Sequence, residues 1–177
     1  MITPDTKDWT WVLDRPCPAC GFAAAETRAQ DVPGLVRQSV ARWAQVLADE
    51  PERLRARPRP DVWSPLEYGC HARDVFRRCD ERMRLMLAED GARFPNWDQD
   101  ATAVEDRYGE QDPRQVADEL AAWGETFAEH IDEVDGAQWE RRGSRSDGAV
   151  FTVDSFVRYV VHDVVHHLHD VGAPLQR

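Results

Sequence analysis

The stretch "VVHDVVHHLHDVG" at residues 160–172 carries four of the six histidines in a chain of 177 residues: His162, His166, His167 and His169. Val157, Val160, Val161, Val164, Val165 and Leu168 recur at steps of one, three and four, which predicts an amphipathic helix with one apolar stripe. The helix opens near Thr152 and ends at Gly172 and Pro174. His162 and His166 stand four residues apart, one turn from each other on one face. That spacing can bring two imidazoles to one metal ion. His169 stays near the same face, whereas His167 points well away from it. The valine stripe faces away from the centre of the His162/His166/His169 face. A metal would therefore lie at the edge of the core or in a cleft. A histidine-rich solvent face would show the same spacing. A site needs a third ligand from another helix, and His71 is the candidate.

Three more helical patterns precede this one. "VPGLVRQSVARWAQVLAD" at 32–49 repeats Val36, Val40, Trp43 and Leu47 on one face, with Asp31 as the expected N-cap. "SPLE" at 64–67 reads as a capping box with proline in the first turn, and its helix runs to about residue 89 with Leu66, Cys70, Val75, Phe76, Met83 and Leu87 inward. "DPRQ" at 112–115 opens a third helix over 113–134. The prolines of "PERLRARPRPDVW" break the chain between the first two, and "DGARFPNWDQDATAVEDRYGEQ" reads as a polar loop. "WERRGSRSDGAVF" predicts a short hairpin around Asp147-Gly148. The expected fold is all-α: a four-helix bundle over residues 31–177, preceded by an irregular arm, residues 1–30.

Composition narrows the function classes. The net charge is −11, which opposes nucleic acid and anionic membranes as partners. No apolar run is long enough to span a bilayer. The opening "MITPDTKDWTWVL" lacks the basic start and apolar core of a signal peptide, so the cytoplasm is the expected location. The four cysteines are then expected as thiols or metal ligands. Lys7 is the only lysine beside many arginines, alanines and prolines, which suggests a GC-rich genome.

"WSPLEYGCHARDVF" at 63–76, followed by "FTVDSFVRYVVHDVVHH" at 151–167, resembles the DinB-like/YfiT-like superfamily of metal-binding four-helix bundles. That superfamily includes bacillithiol and mycothiol S-transferases and the metal-binding domain of mycothiol-dependent maleylpyruvate isomerase. Trp63, Ser64 and Glu67 match its helix start, His71 its single histidine, and His162 and His166 its pair. The resemblance implies a divalent ion, zinc or nickel first and iron as another option, on His71, His162 and His166. It also implies an activity that joins a low-molecular-weight thiol to a small electrophile. The GC-rich signature favours mycothiol as that thiol. A metal-dependent hydrolase and a stress-response binding protein are the alternatives, and a homodimer stays open. On this reading His166→Ala removes the ion and His167→Ala does not.

Other residues keep several readings. Cys17 and Cys20 in "CPACG" have the spacing of one zinc knuckle, which needs two more ligands; they are otherwise redox-active or inert. Cys70 and Cys79 read as small buried hydrophobes. Trp43 and Trp123 are expected in the core, Trp63 as a staple, and Trp9 and Trp11 as packing for the arm. Arg73, Arg77, Arg78 and Arg158 are either a solvated face or a site for an anionic or sugar-bearing thiol. Asp163 and His169 are expected to orient a ligand or move a proton.

Overall fold

The computed structural model describes residues 2 and 8–175; Lys7 and the other residues of the "MITPDTK" segment lie outside them, apart from Ile2. Six helices and a small sheet occur in the order α1 (Val32–Leu47), α2 (Pro51–Arg55), α3 (Pro65–Ala88), β1 (Ala92–Phe94), α4 (Gln99–Glu105), α5 (Pro113–Asp132), β2 (Arg142–Arg145), β3 (Val150–Thr152) and α6 (Val153–Asp170). The four long helices form the bundle. Both α1 and α3 pack on α5 and α6, so these sequence neighbours lie across the diagonal.

The helix starts follow their local chemistry. Ser64 accepts from the Glu67 amide while the Glu67 carboxylate accepts from the Ser64 amide, which satisfies two amides that the first turn leaves open. Arg57 pairs with the same carboxylate. Thr152 and Ser155 cap α6 in the same reciprocal way. Asp112 caps α5 through the Arg114 amide, while Gln115 turns instead to Glu119. Asp31 does not cap α1; its carboxylate is taken by Arg28, 2.7 Å away. The left-handed Gly172, at φ 71°, ends α6.

Trp43, Phe76, Phe127, Leu66, Leu120 and Met83 fill the space between the helices. Cys70 and Cys79 are buried, whereas Trp123 is only partly covered. Burial of each large side chain contributes about 1.5–3 kcal/mol. The polar connection after α3 is more ordered than its composition predicts. Its β1 pairs in parallel with β2, and β2 pairs antiparallel with β3 through the expected Asp147-Gly148 turn. Tyr108 from this connection is fully buried, and its hydroxyl donates to buried Asp74 at 2.5 Å. The arm, too, is anchored: Val12, Cys17, Ala24 and Ala29 are buried. Among the described residues no helix is long and apolar enough to cross a membrane.

Close approach of α5 to α1 depends on Gly124. A Cβ there would meet a Val40 methyl at 2.4 Å and the Phe76 ring at 3.3 Å. Gly124→Val should therefore destabilise by about 1–3 kcal/mol despite leaving the backbone helical. Adding Val40→Ala should return part of that loss in a denaturant double-mutant cycle; strictly additive effects would show that this contact does not set the spacing.

Candidate metal centres

Successive residues of a helix point about 100° apart. The pair His162/His166 and the pair Asp163/His167 are both spaced by one turn, so α6 carries two side-chain pairs on adjoining faces. The structure gives each pair different company. His162 and His166 meet Cys17 and Cys20 of the arm, with one ligand atom from each within 4.8 Å of the others. Asp163 and His167 meet His71 of α3 under the same distance limit. The expected trio of His71, His162 and His166 is thus divided between two groups. The physical reason is the valine stripe. It turns the 163/167 face toward the flank of the core beside α3 and the 162/166 face toward the arm. His169, its side chain 44% exposed, belongs to neither group.

The α3 group converges closely. His71 Nε2 lies 3.3 Å and His167 Nε2 3.6 Å from Asp163 Oδ1. Yet neither nitrogen of fully buried His71 has a hydrogen-bond partner among the described residues, and Asp163 Oδ1 has none either. Donor atoms that point together without bonding one another fit a cation between them. Burial opposes ionisation of Asp163, but the imidazoles of His167 and His71 outweigh it and hold the carboxyl well below its usual range. Aromatic packing fixes the ligand rings. Trp97 stacks on His71 at 5.2 Å, Trp63 tilts against it at 5.2 Å, and Tyr68 lies 4.8 Å from His167. Trp97 is itself held by Thr102 of α4, which accepts from its indole N–H at 2.7 Å. Asp170 fixes His167 from behind, 2.9 Å from Nδ1.

Asp163 and His167 of this group line a cleft of about 1210 Å³, as do His162 and His166 of the other. Trp9, Trp63, Tyr68, Trp97 and Tyr159 supply aromatic walls, and Asp8, Asp61, Asp98, Asp100 and Asp147 supply carboxylates. Arg145 is the one Lys or Arg among its described lining residues. Its guanidinium is shared between Asp147 at 2.8 Å and the Tyr159 hydroxyl at 3.3 Å. Burial raises the Tyr159 pKa, which keeps the hydroxyl protonated as a donor. The four arginines read either as a solvated face or as a site for the thiol do not line this cleft. Arg73 is taken by Asp74, Gln111 and Glu119, and Arg158 by Asp154 and the Ala24 carbonyl. Arg77 leans toward Asp74, and Arg78 sits over the Trp97 ring.

Sequence spacing allowed the 163/167 pair as readily as 162/166, and the valine stripe favoured it. Arg145 and Trp97 carried no such signal, because strand pairing and α4 place them. The solved structure of YfiT from Bacillus subtilis, described as a probable metal-dependent hydrolase with an unusual four-helix bundle topology, matches with a TM-score of 0.72 and 17% identity over 80% of this chain and 82% of that one. At that identity the likeness is one of fold. A comparison with curated proteins gives no match. The family model of the DinB superfamily matches residues 34–171, which takes in the bundle and the helices that carry His71, His162, His166 and His167, and the chain belongs to that superfamily.

Proposed function

We propose that the chain is a metal-dependent enzyme with its catalytic ion on His71, Asp163 and His167, and that it joins a neutral, hydroxyl-rich thiol, mycothiol first, to an electrophilic small molecule. The observation that carries this reading is the convergence of those three side chains at a wide cleft, with buried donor atoms on His71 and Asp163 that have no hydrogen-bond partner among the described residues. Two imidazoles and one carboxylate are a donor set that zinc, nickel and iron accept, and three protein ligands leave positions open. A divalent ion there supplies the charge that lowers a thiol's pKa.

The chain's own groups do the rest. His71 and His167 are gripped by aromatic rings, so the donor atoms are pre-positioned. The Tyr159 hydroxyl can donate to an oxygen on the electrophile. The carboxylates of the cleft repel an anionic thiol such as glutathione, yet they accept hydrogen bonds from hydroxyls. That selection favours a neutral polyol thiol. A second reading is a hydrolase, in which water takes the place of the thiol. The description of YfiT favours it.

Initial rates of monochlorobimane conjugation with mycothiol, glutathione and cysteine test the proposal. Mycothiol should react at least about tenfold faster than glutathione, equivalent to about 1.4 kcal/mol of selection. Chelation should abolish the difference and added metal restore it. His71→Ala and His167→Ala should lose the activity and one bound ion. If no thiol reacts above background with the metallated protein, the transferase reading gives way to the hydrolase.

Tyr159→Phe isolates the proton donor. It should lower kcat/KM about five- to tenfold, the worth of one hydrogen bond, with metal content unchanged. An unaltered kcat/KM would remove Tyr159 from the reaction.

A further inference from the structure

The second group on α6 requires a different reading. We propose that Cys17, Cys20, His162 and His166 form a closed structural site for a zinc ion that fastens the N-terminal arm to the bundle. The proposal is independent of the reaction above.

The donor set is two thiols and two imidazoles, the composition of a four-coordinate structural zinc site. The ligand atoms come from two chain segments far apart in sequence and lie within 4.8 Å of one another. Zinc–sulfur bonds of about 2.3 Å and zinc–nitrogen bonds of about 2.0–2.1 Å imply tetrahedral S···N edges of about 3.5–3.6 Å. The distance from Cys17 Sγ to His166 Nδ1 is 3.5 Å.

Local backbone geometry supports the same assignment. The Gly21 amide donates to the Cys17 carbonyl, and the Cys17 amide to the Phe22 carbonyl, both at 2.8 Å. Gly21 takes the left-handed φ of 73° that this tight turn needs. The Phe22 amide is also directed to the Cys20 sulfur. These bonds fold "CPACG" into a compact knuckle with both sulfurs on the α6 side. The site sits at the wall of the cleft, which His162 and His166 line, and two of its ligands are well covered. Cys17 is 1% and His162 3% exposed, and His162 buries Nε2 without a hydrogen-bond partner among the described residues. Trp9 packs its ring against both histidines and Phe22 against His162. All four positions are supplied by protein, so no coordination site is left for substrate. When the ion binds, the two thiol protons leave to solvent.

The ion would also bear on the cleft. Asp8, Trp9, Thr10 and Ala19 of the arm line it, so the fastened arm forms one wall. Asp170 stands between the two centres, 2.9 Å from His167 Nδ1 and 3.7 Å from His166 Nε2.

The test uses the full-length chain purified without a histidine tag, then stripped and loaded with cobalt(II). Wild type should show the intense thiolate-to-cobalt charge-transfer band of a two-cysteine site. His71→Ala should keep that band while losing one ion. Cys17→Ser and His166→Ala should weaken or lose it and should release one zinc from the protein as purified. Zinc removal should also lower the unfolding midpoint by about 5 °C or more. The wild-type spectrum decides the matter even if the cysteine variants fail to fold. Absence of the band in fully loaded wild type would overturn the proposal. So would a wild-type mass, as purified, lower by two hydrogens with no zinc bound, since that signifies a Cys17–Cys20 disulfide. Loss of metal in His71→Ala but in neither α6 histidine nor cysteine variants would overturn this site while leaving the catalytic one standing.

Discussion

Helix α6 can turn its valines to only one side, and the chemistry of the protein is arranged around that choice. Val157, Val160, Val161, Val164 and Leu168 are buried in the bundle. Their removal from water fixes the rotation of the helix about its axis. Once the rotation is fixed, every other residue of α6 has its direction assigned. Asp163 and His167 come to the flank beside α3, and His162 and His166 to the far side. Polar groups on the far side would face solvent in a bare bundle. The arm covers them instead, and His162 becomes as buried as the core.

That dependence explains which features the sequence made legible. The bundle was readable because its four helices have long apolar stripes and clear starts. Ser64-Pro65-Leu66-Glu67 and Asp112-Pro113 mark their boundaries through side chains within three residues, and local chemistry of this kind survives folding. Asp31 does not form the expected cap because its backbone is already helical, at φ −89° and ψ −13°, and Arg28 takes its carboxylate at 2.7 Å. The site was legible only to the level of its helix. A spacing of four appears in His162/His166 and again in Asp163/His167, so spacing alone does not choose between them. The valine stripe bears on which pair meets α3, because a side chain that does so must lie near the core-facing side.

Other parts were not legible because non-local pairing creates them. The connection after α3 is polar and carries a proline, yet Ala92 to Phe94 gain a partner strand about fifty residues away. That pairing and the short α4 bring Trp97 over His71. Likewise, Arg145 enters the cleft because β2 carries it there between Asp147 and Tyr159. No periodicity in the sequence records either placement. The structure brings "CPACG" to His162 and His166 of α6, a pairing across about 145 residues that no local spacing records.

The polar atoms buried in the two centres also constrain how the chain folds. A buried donor or acceptor without a partner costs about 1–3 kcal/mol. His71 contributes two such nitrogens, and Asp163 Oδ1 and His162 Nε2 add one each. A protein with net stability of about 5–15 kcal/mol carries such a cost only with compensation. The aromatic packing of Trp63 and Trp97 against His71 supplies some, but a ring face cannot replace a partner for a lone pair. A cation in each cluster would offer a partner to Asp163 Oδ1, to one nitrogen of His71 and to His162. Burial first, and then the neighbouring histidines, hold His162 down to a pKa of about 4, so its imidazole is neutral at neutral pH. On the proposed assignments, metal binding and the docking of arm and α3 on α6 would be coupled, because the atoms that make the bundle costly to close without ions are the ones that would hold them.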